Sequence, residues 1–192
     1  MLKRKLSGAI AVGALVASAS VMAAVSDGTV VSNTCSGCHG TNGASVGATP
    51  NIGGLPEAYL ASTMAAYKDG ARFATVMNRV ARGYDQGQLL DMAKFFAAKP
   101  WVPSSLTGDV RLVERGRQVH GASGCAGCHG PTGSGIPSQY PRIAGQHADY
   151  AVAQLLAFRD GVRLNNAQMT GVTAKMNDRE IKAVSDYIAG LR

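Results

Sequence analysis

Two copies of one five-residue pattern constrain this chain more than anything else in it. Cys35-Ser36-Gly37-Cys38-His39 and Cys125-Ala126-Gly127-Cys128-His129 both read C-x-x-C-H, and together they use all four cysteines. Two thiols at this spacing can form thioethers with the two vinyl groups of one haem, and the adjacent histidine then lies under the iron. Competing chemistries fit less of the pattern. A disulfide oxidoreductase usually has one such pair in a strand-helix context and does not require the following histidine. A zinc site would use four thiolates, or two thiolates and two imidazoles, and needs no duplicated surroundings.

The motifs lie 90 residues apart, and the likeness continues beyond them. Pro50-Asn51-Ile52-Gly53-Gly54 answers Pro141-Arg142-Ile143-Ala144-Gly145, and Tyr67-Lys68-Asp69-Gly70 answers Phe158-Arg159-Asp160-Gly161. The chain is a tandem duplication of one haem-binding unit. Two covalently bound haem c groups are therefore expected, held by Cys35, Cys38, Cys125 and Cys128, with His39 and His129 as iron ligands.

An electron-transfer haem needs a second axial ligand, and a thioether there raises the reduction potential relative to a second imidazole. Met77 lies 38 residues after His39 and Met169 lies 40 after His129, in equivalent positions of the repeat. These two are expected as distal ligands. Met64 shares a helical face with Leu60 and Tyr67, and Met92 sits among Leu89, Phe95 and Phe96, so both read as core. Met176 is the local rival to Met169, but it aligns with Tyr84. His120 and His147 have no counterpart in the first half, which favours surface or internally bonded roles.

The first 24 residues have the form of a secretory signal. Lys3, Arg4 and Lys5 precede the apolar and small-residue stretch from Leu6 to Val21, and Val21-Met22-Ala23 offers small residues for cleavage. A retained anchor is the alternative, but the run is roughly 16 residues against the ~20 needed to span a bilayer. Cleavage would leave no integral membrane segment and place the mature chain in the periplasm.

The formal charge of +7 includes three basic residues of that signal, leaving +4 afterwards. Residues 25–103 hold six basic and five acidic side chains, and 104–192 hold ten and seven. Neither half has the concentrated basic stripe that a phosphate backbone requires, so a nucleic-acid partner is not expected.

No stretch alternates convincingly as a strand, so an all-α fold is expected, with 25–100 and 106–192 as two domains around a linker at 101–105. Pro100 and Pro103 would stiffen that connector, with Trp101 either between the domains or covering a surface. Pro56 suits the first turn of a helix running to Lys68, and Gln88 to Ala98 reads as the closing helix of the first half. Asp109 is expected to cap a helix bearing Leu112, Val113, Gly116 and Val119, and Asp178 another bearing Ile181, Val184, Tyr187 and Ile188. Gly116 is small enough to allow a close crossing with Tyr187. Each unit is small for an unaided core, and a covalent haem would supply the apolar surface around which short helices close.

Both halves resemble class I cytochrome c, and the whole resembles the diheme cytochrome c4 type. The second half carries that likeness in Tyr140-Pro141-Arg142-Ile143-Ala144-Gly145-Gln146, in Phe158-Arg159-Asp160-Gly161-x-Arg163, and in Met169 with Ala174-Lys175-Met176. The resemblance implies two tandem class I domains and an electron-transfer role. It also implies that the carbonyls of Pro50 and Pro141 accept a hydrogen bond from the iron-ligating histidines, although each proline can equally just start a turn.

Thr75-Val76-Met77-Asn78-Arg79-Val80-Ala81-Arg82-Gly83-Tyr84 is similar to the methionine segment of the cytochrome subunit of flavocytochrome c sulfide dehydrogenase. This implies a periplasmic electron-accepting subunit, with sulfide oxidised at FAD on a partner flavoprotein chain. The second half is nearer to a standard cytochrome c4 domain, and a free carrier between a respiratory complex and a terminal oxidase is the alternative. No G-x-G-x-x-G follows a strand here, so this chain would not hold the flavin by that route and is expected to be catalytic only as part of such a complex, with no catalytic site of its own. Arg79, Arg82 and Tyr84 are candidates for holding haem propionates.

Overall fold

The computed structural model describes residues 28–105, 108–137 and 140–192; the signal segment at 1–24 lies outside them. The duplication is visible element by element. The first half runs α1 (Gly28–Ser32), α2 (Ser36–His39), α3 (Glu57–Asp69), α4 (Met77–Arg82) and α5 (Gln86–Ala97). The second repeats the order as α6 (Val113–Ala122), α7 (Cys125–His129), α8 (Ala148–Arg159), α9 (Ala167–Thr173) and α10 (Asp178–Gly190). The closing helix packs on the opening one in each half, α5 on α1 and α10 on α6, while α3 and α8 brace the short helices α4 and α9. The fold is all-α, as expected. Among the described residues the only extended pairings are two isolated bridges, Arg72 with Arg163 and Ile136 with Tyr140. None of the described helices is long and apolar enough to cross a membrane.

Apolar periodicity on the closing helices builds the cores. Leu55, Leu60, Ala93 and Phe96 form one cluster of the first half, against which Ile52 and Trp101 pack. Val31, Leu89 and Met92 form another, with Met64 against it. In the second half Val119, Met176, Ile181, Val184 and Ile188 are buried together. Met64, Met92 and Met176 are thus core residues. Burying an aliphatic side chain of this size is favourable by about 1.5–3 kcal/mol, so these clusters tie each pair of helices together.

The helix starts differ from expectation for local reasons. Asp109 does not cap α6. Its carboxylate accepts from the backbone N–H of Arg111 at 2.9 Å and forms a two-pronged ion pair with the same guanidinium, which closes a turn ahead of the helix. Leu112 takes the cap position instead. The cap of α10 is Asn177 and not Asp178. The Asn177 side chain accepts from Glu180 N at 3.0 Å, and the Glu180 carboxylate accepts from Asn177 N at 3.2 Å, a reciprocal box that satisfies two free N–H groups. Asp85 and Gln88 make the same box ahead of α5, which therefore begins two residues before Gln88. Pro56 is the residue before α3 and not within its first turn, and α3 ends at Asp69, one residue beyond Lys68.

The expected crossing at Gly116 is present. A Cβ there would lie 2.1 Å from the carbonyl oxygen of Ala183 and 2.6 Å from Cβ of Tyr187. Gly28 plays the same part in the first half, where a Cβ would lie 2.8 Å from the carbonyl of Asp91. Because the obstructing atom is backbone on a facing helix, Gly116→Ala should destabilise the second half by about 1–3 kcal/mol, read by denaturant unfolding. Gly121→Ala on the same helix meets nothing within 4 Å and should be neutral or slightly stabilising.

Candidate haem-binding site

The second C-x-x-C-H motif folds as one short helix, α7, while in the first Cys35 ends a 3-10 turn that leads directly into α2; both arrangements set the cysteines and the histidine along one wall. No disulfide joins any of the four cysteines, and as thiols Cys35 and Cys125 are pushed above the ordinary cysteine range by burial. A glycine with positive φ follows each histidine, Gly40 at 75° and Gly130 at 78°, and turns the chain off the helix.

The two imidazoles are held alike. His39 Nδ1 lies 2.8 Å from the carbonyl oxygen of Pro50, and His129 Nδ1 lies 2.8 Å from that of Pro141. A carbonyl can only accept, so Nδ1 carries the proton and Nε2 is left with its lone pair. Burial holds both histidines below the ordinary imidazole pKa, so they are neutral at neutral pH. A neutral, oriented imidazole with a second ring N–H on a carbonyl is what a metal-ligating histidine requires. Of the two roles open to the prolines, the carbonyl contact is the one the structure contains.

Between the walls runs one continuous cavity of about 1630 Å³. Cys35, Cys38, His39 and Met77 line it in the first half, and Cys125, Cys128, His129 and Met169 in the second. Met77 opens α4, and Met169 lies in the first turn of α9, where Asn166 caps the helix by accepting from Met169 N at 3.0 Å. Both methionines are half-buried. Met176 also reaches the cavity wall but belongs to the core cluster. His120 and His147 are buried and absent from the lining. His120 packs edge-on against Tyr187, and His147 Nδ1 bonds to the Ser104 hydroxyl at 2.7 Å.

The cations of the cavity wall are not the expected ones. Arg79 and Arg82 are exposed and do not line it, whereas Tyr84 does. The buried cations there are Arg72 and Arg163, 1% and 7% exposed, which follow Tyr67 and Phe158 by five residues and stack over those rings. Arg72 reaches into the second half, donating to Tyr150 Oη at 2.8 Å and Gln154 Oε1 at 2.6 Å. Arg163 bonds to the same Gln154 oxygen at 2.7 Å and lies close enough to the Tyr59 hydroxyl of the first half to interact with it electrostatically. Among the described residues neither guanidinium meets a carboxylate, and Arg72 Nε has no partner. Two buried cations facing a large apolar-walled cavity fit an occupant that brings its own carboxylates. Haem is such a group.

The halves also meet at the connector. Trp101 sits between them, packed on the Leu55 cluster with the Arg142 guanidinium 5.4 Å from its ring centroid. Ser104 N donates to Gly145 O at 2.7 Å.

The family profile described as cytochrome c matches residues 25–95 and 113–192. Cytochrome c4 of Pseudomonas aeruginosa is 34% identical over 167 residues, covering 82% of this chain and 83% of that protein. A thiosulfate dehydrogenase electron acceptor of Thiomonas intermedia is 33% identical over 81% of this chain and 77% of its own length. The cytochrome subunit of sulfide dehydrogenase of Chlorobaculum tepidum matches more locally, 38% over 71 residues, or 37% of this chain and 64% of that one. Among solved structures, reduced cytochrome c4 from Pseudomonas stutzeri superposes with a TM-score of 0.79 at 31% identity, covering 86% of this chain and 97% of that one.

The two halves should differ in their tolerance at the glycine after the histidine. A Cβ at Gly40 would lie 2.0 Å from the carbonyl of Ala44, whereas at Gly130 its nearest neighbour is Gly135 O at 3.6 Å. Gly130→Ala should therefore cost about 1 kcal/mol, mainly for the positive φ, and leave the haem spectrum intact. Gly40→Ala should disrupt the first site, seen as incomplete haem incorporation.

Proposed function

The chain belongs to the cytochrome c family and carries two covalently bound haem c groups, and on that premise we propose that it is an exported diheme electron carrier of the cytochrome c4 kind. The observation that carries this reading is a complete set of attachment and ligand residues in both halves, within a match to cytochromes c4 that spans nearly their whole length. An electron-transfer haem, when bound, supplies a one-electron iron couple.

The roles of the residues follow from their placement. Cys35, Cys38, Cys125 and Cys128 form the thioethers. His39 and His129 present Nε2 to the iron, fixed in orientation by the Pro50 and Pro141 carbonyls. Met77 and Met169, facing the same cavity, would supply thioether ligands to the iron, which would raise the potentials above those of a bis-histidine site. Arg72 and Arg163, buried on the cavity wall at the junction of the two domains, 25–100 and 106–192, would neutralise haem propionates. The apolar walls exclude water, which narrows the reorganisation that accompanies each electron.

A second reading is a subunit role, in which the chain accepts electrons directly from a dehydrogenase. The local match to the sulfide dehydrogenase cytochrome subunit favours it, with a flavoprotein bearing FAD as the partner. The similarity to thiosulfate dehydrogenase electron acceptors favours the same role with another donor. The similarity to cytochromes c4 in sequence and in fold supports the free carrier as the first reading.

Two experiments test these assignments. Met77→Ala and Met169→Ala should each convert one of the two haems from low to high spin and leave the other unchanged, seen in the visible and magnetic circular dichroism spectra. Purified under native conditions from periplasmic extract, the chain should run without a flavoprotein and be reduced by a quinol-oxidising membrane complex. A stoichiometric flavoprotein complex reduced by sulfide would establish the subunit role instead.

A further inference from the structure

The Pro50–Asn51 peptide is bonded at both ends. Its carbonyl accepts from His39 Nδ1 at 2.8 Å, and its N–H donates to Gln146 Oε1, in the other half of the molecule, at 2.9 Å. Gln146 returns a second bond, donating from Nε2 to Asn51 O at 2.9 Å. Its Oε1 also accepts from His147 N at 3.0 Å, so two N–H donors fix which end of the amide is oxygen. The Asn51 side chain is equally committed, accepting from Ser45 N at 2.8 Å and donating to Val102 O at 3.0 Å. Both residues are buried, Asn51 at 1% exposure and Gln146 at 7%.

The second half has no such arrangement. By the repeat, Pro141 answers Pro50 and Gln146 answers Leu55, an apolar residue that can accept nothing. Among the described residues the N–H of the Pro141–Arg142 peptide makes no bond to the first half.

We infer that Gln146 tunes the reduction potential of the first haem from across the domain junction, through the Pro50–Asn51 peptide. The inference rests on the reading of His39 as the iron ligand of that haem. Hydrogen bonds in a chain polarise one another, so an acceptor on the peptide N–H makes its carbonyl a stronger acceptor. A stronger acceptor draws the Nδ1 proton of His39 and makes the imidazole more electron-rich. An electron-rich ligand favours oxidised iron and lowers the potential. The second haem lacks this influence, so the gap between the two potentials depends on the apposition of the halves. Gln146 is a positioning residue: it acts on the iron only through Asn51, Pro50 and His39.

The test is Gln146→Met, which keeps the length of the side chain and removes the acceptor. In a redox titration followed by NMR, each haem's methyl resonances report its own oxidation state. At the wild-type midpoint of the first haem, its reduced-to-oxidised ratio should rise roughly three- to fivefold, the scale of a partial change in one hydrogen bond, with the second haem unmoved. The Nδ1 proton resonance of His39 in the reduced protein should shift upfield, and that of His129 should stay. Equal displacement of both haems would mean general loosening of the junction and would overturn the inference, as would an unmoved first haem. The underlying reading is checked separately with Gln146 intact. If His39→Gly leaves the first haem six-coordinate and low-spin, His39 is not the ligand, and the inference falls with it.

Discussion

Everything in this molecule depends on keeping two imidazoles neutral and pointed. A histidine beside a pair of thioether cysteines is close to the iron in sequence, but closeness does not choose which nitrogen faces it. The choice is made by a backbone carbonyl eleven or twelve residues away, which accepts from Nδ1 and leaves Nε2 free. That requirement shapes the loops. The chain must leave α2 or α7 through a left-handed glycine, run round, and return with a proline carbonyl at bonding distance. The helices then have one task, to hold that loop and the methionine segment on facing walls.

Much of this was readable because strict spacing carries it. The cysteines and histidines stand in a motif whose geometry is local, and the prolines and methionines were found by laying one half on the other. The helix caps were less legible, since several residues compete within one turn. Asp109 is a good cap by type, yet Arg111 engages it first, and Asn177 precedes Asp178 with Glu180 in the right place to complete the box. Arg72 and the role of Arg163, which stands in the sequence only as part of the cytochrome c4 likeness, are hard to read for a different reason. An arginine reads as surface in any one-dimensional view, and only its recurrence five residues after an aromatic in both halves could have drawn attention to it. Gln146 is harder still, because its importance lies in where the repeat fails.

The balance between carrier and subunit also turns on how much of the chain a likeness covers. The segment from Thr75 to Tyr84 pointed toward the sulfide dehydrogenase subunit, and a local match to such a subunit exists. The likeness to cytochromes c4 runs through both halves, over 82% of the chain in sequence and 86% in structure, and the likeness to a thiosulfate dehydrogenase electron acceptor runs as far, over 81%. A short segment can be shared by several branches of one family, and here the two-domain arrangement is shared by cytochromes c4 and by thiosulfate dehydrogenase electron acceptors alike.

The junction between the halves is built largely from residues that answer one another in the repeat: Arg72 bonds Tyr150, Arg163 lies beside Tyr59, and the two arginines meet across an antiparallel bridge. A face that makes the same contact twice in opposite directions is self-complementary, the signature of a twofold axis. The molecule is therefore organised like a homodimer whose protomers were joined end to end, and the Asn51–Gln146 contact marks a point where its two members have since become unequal.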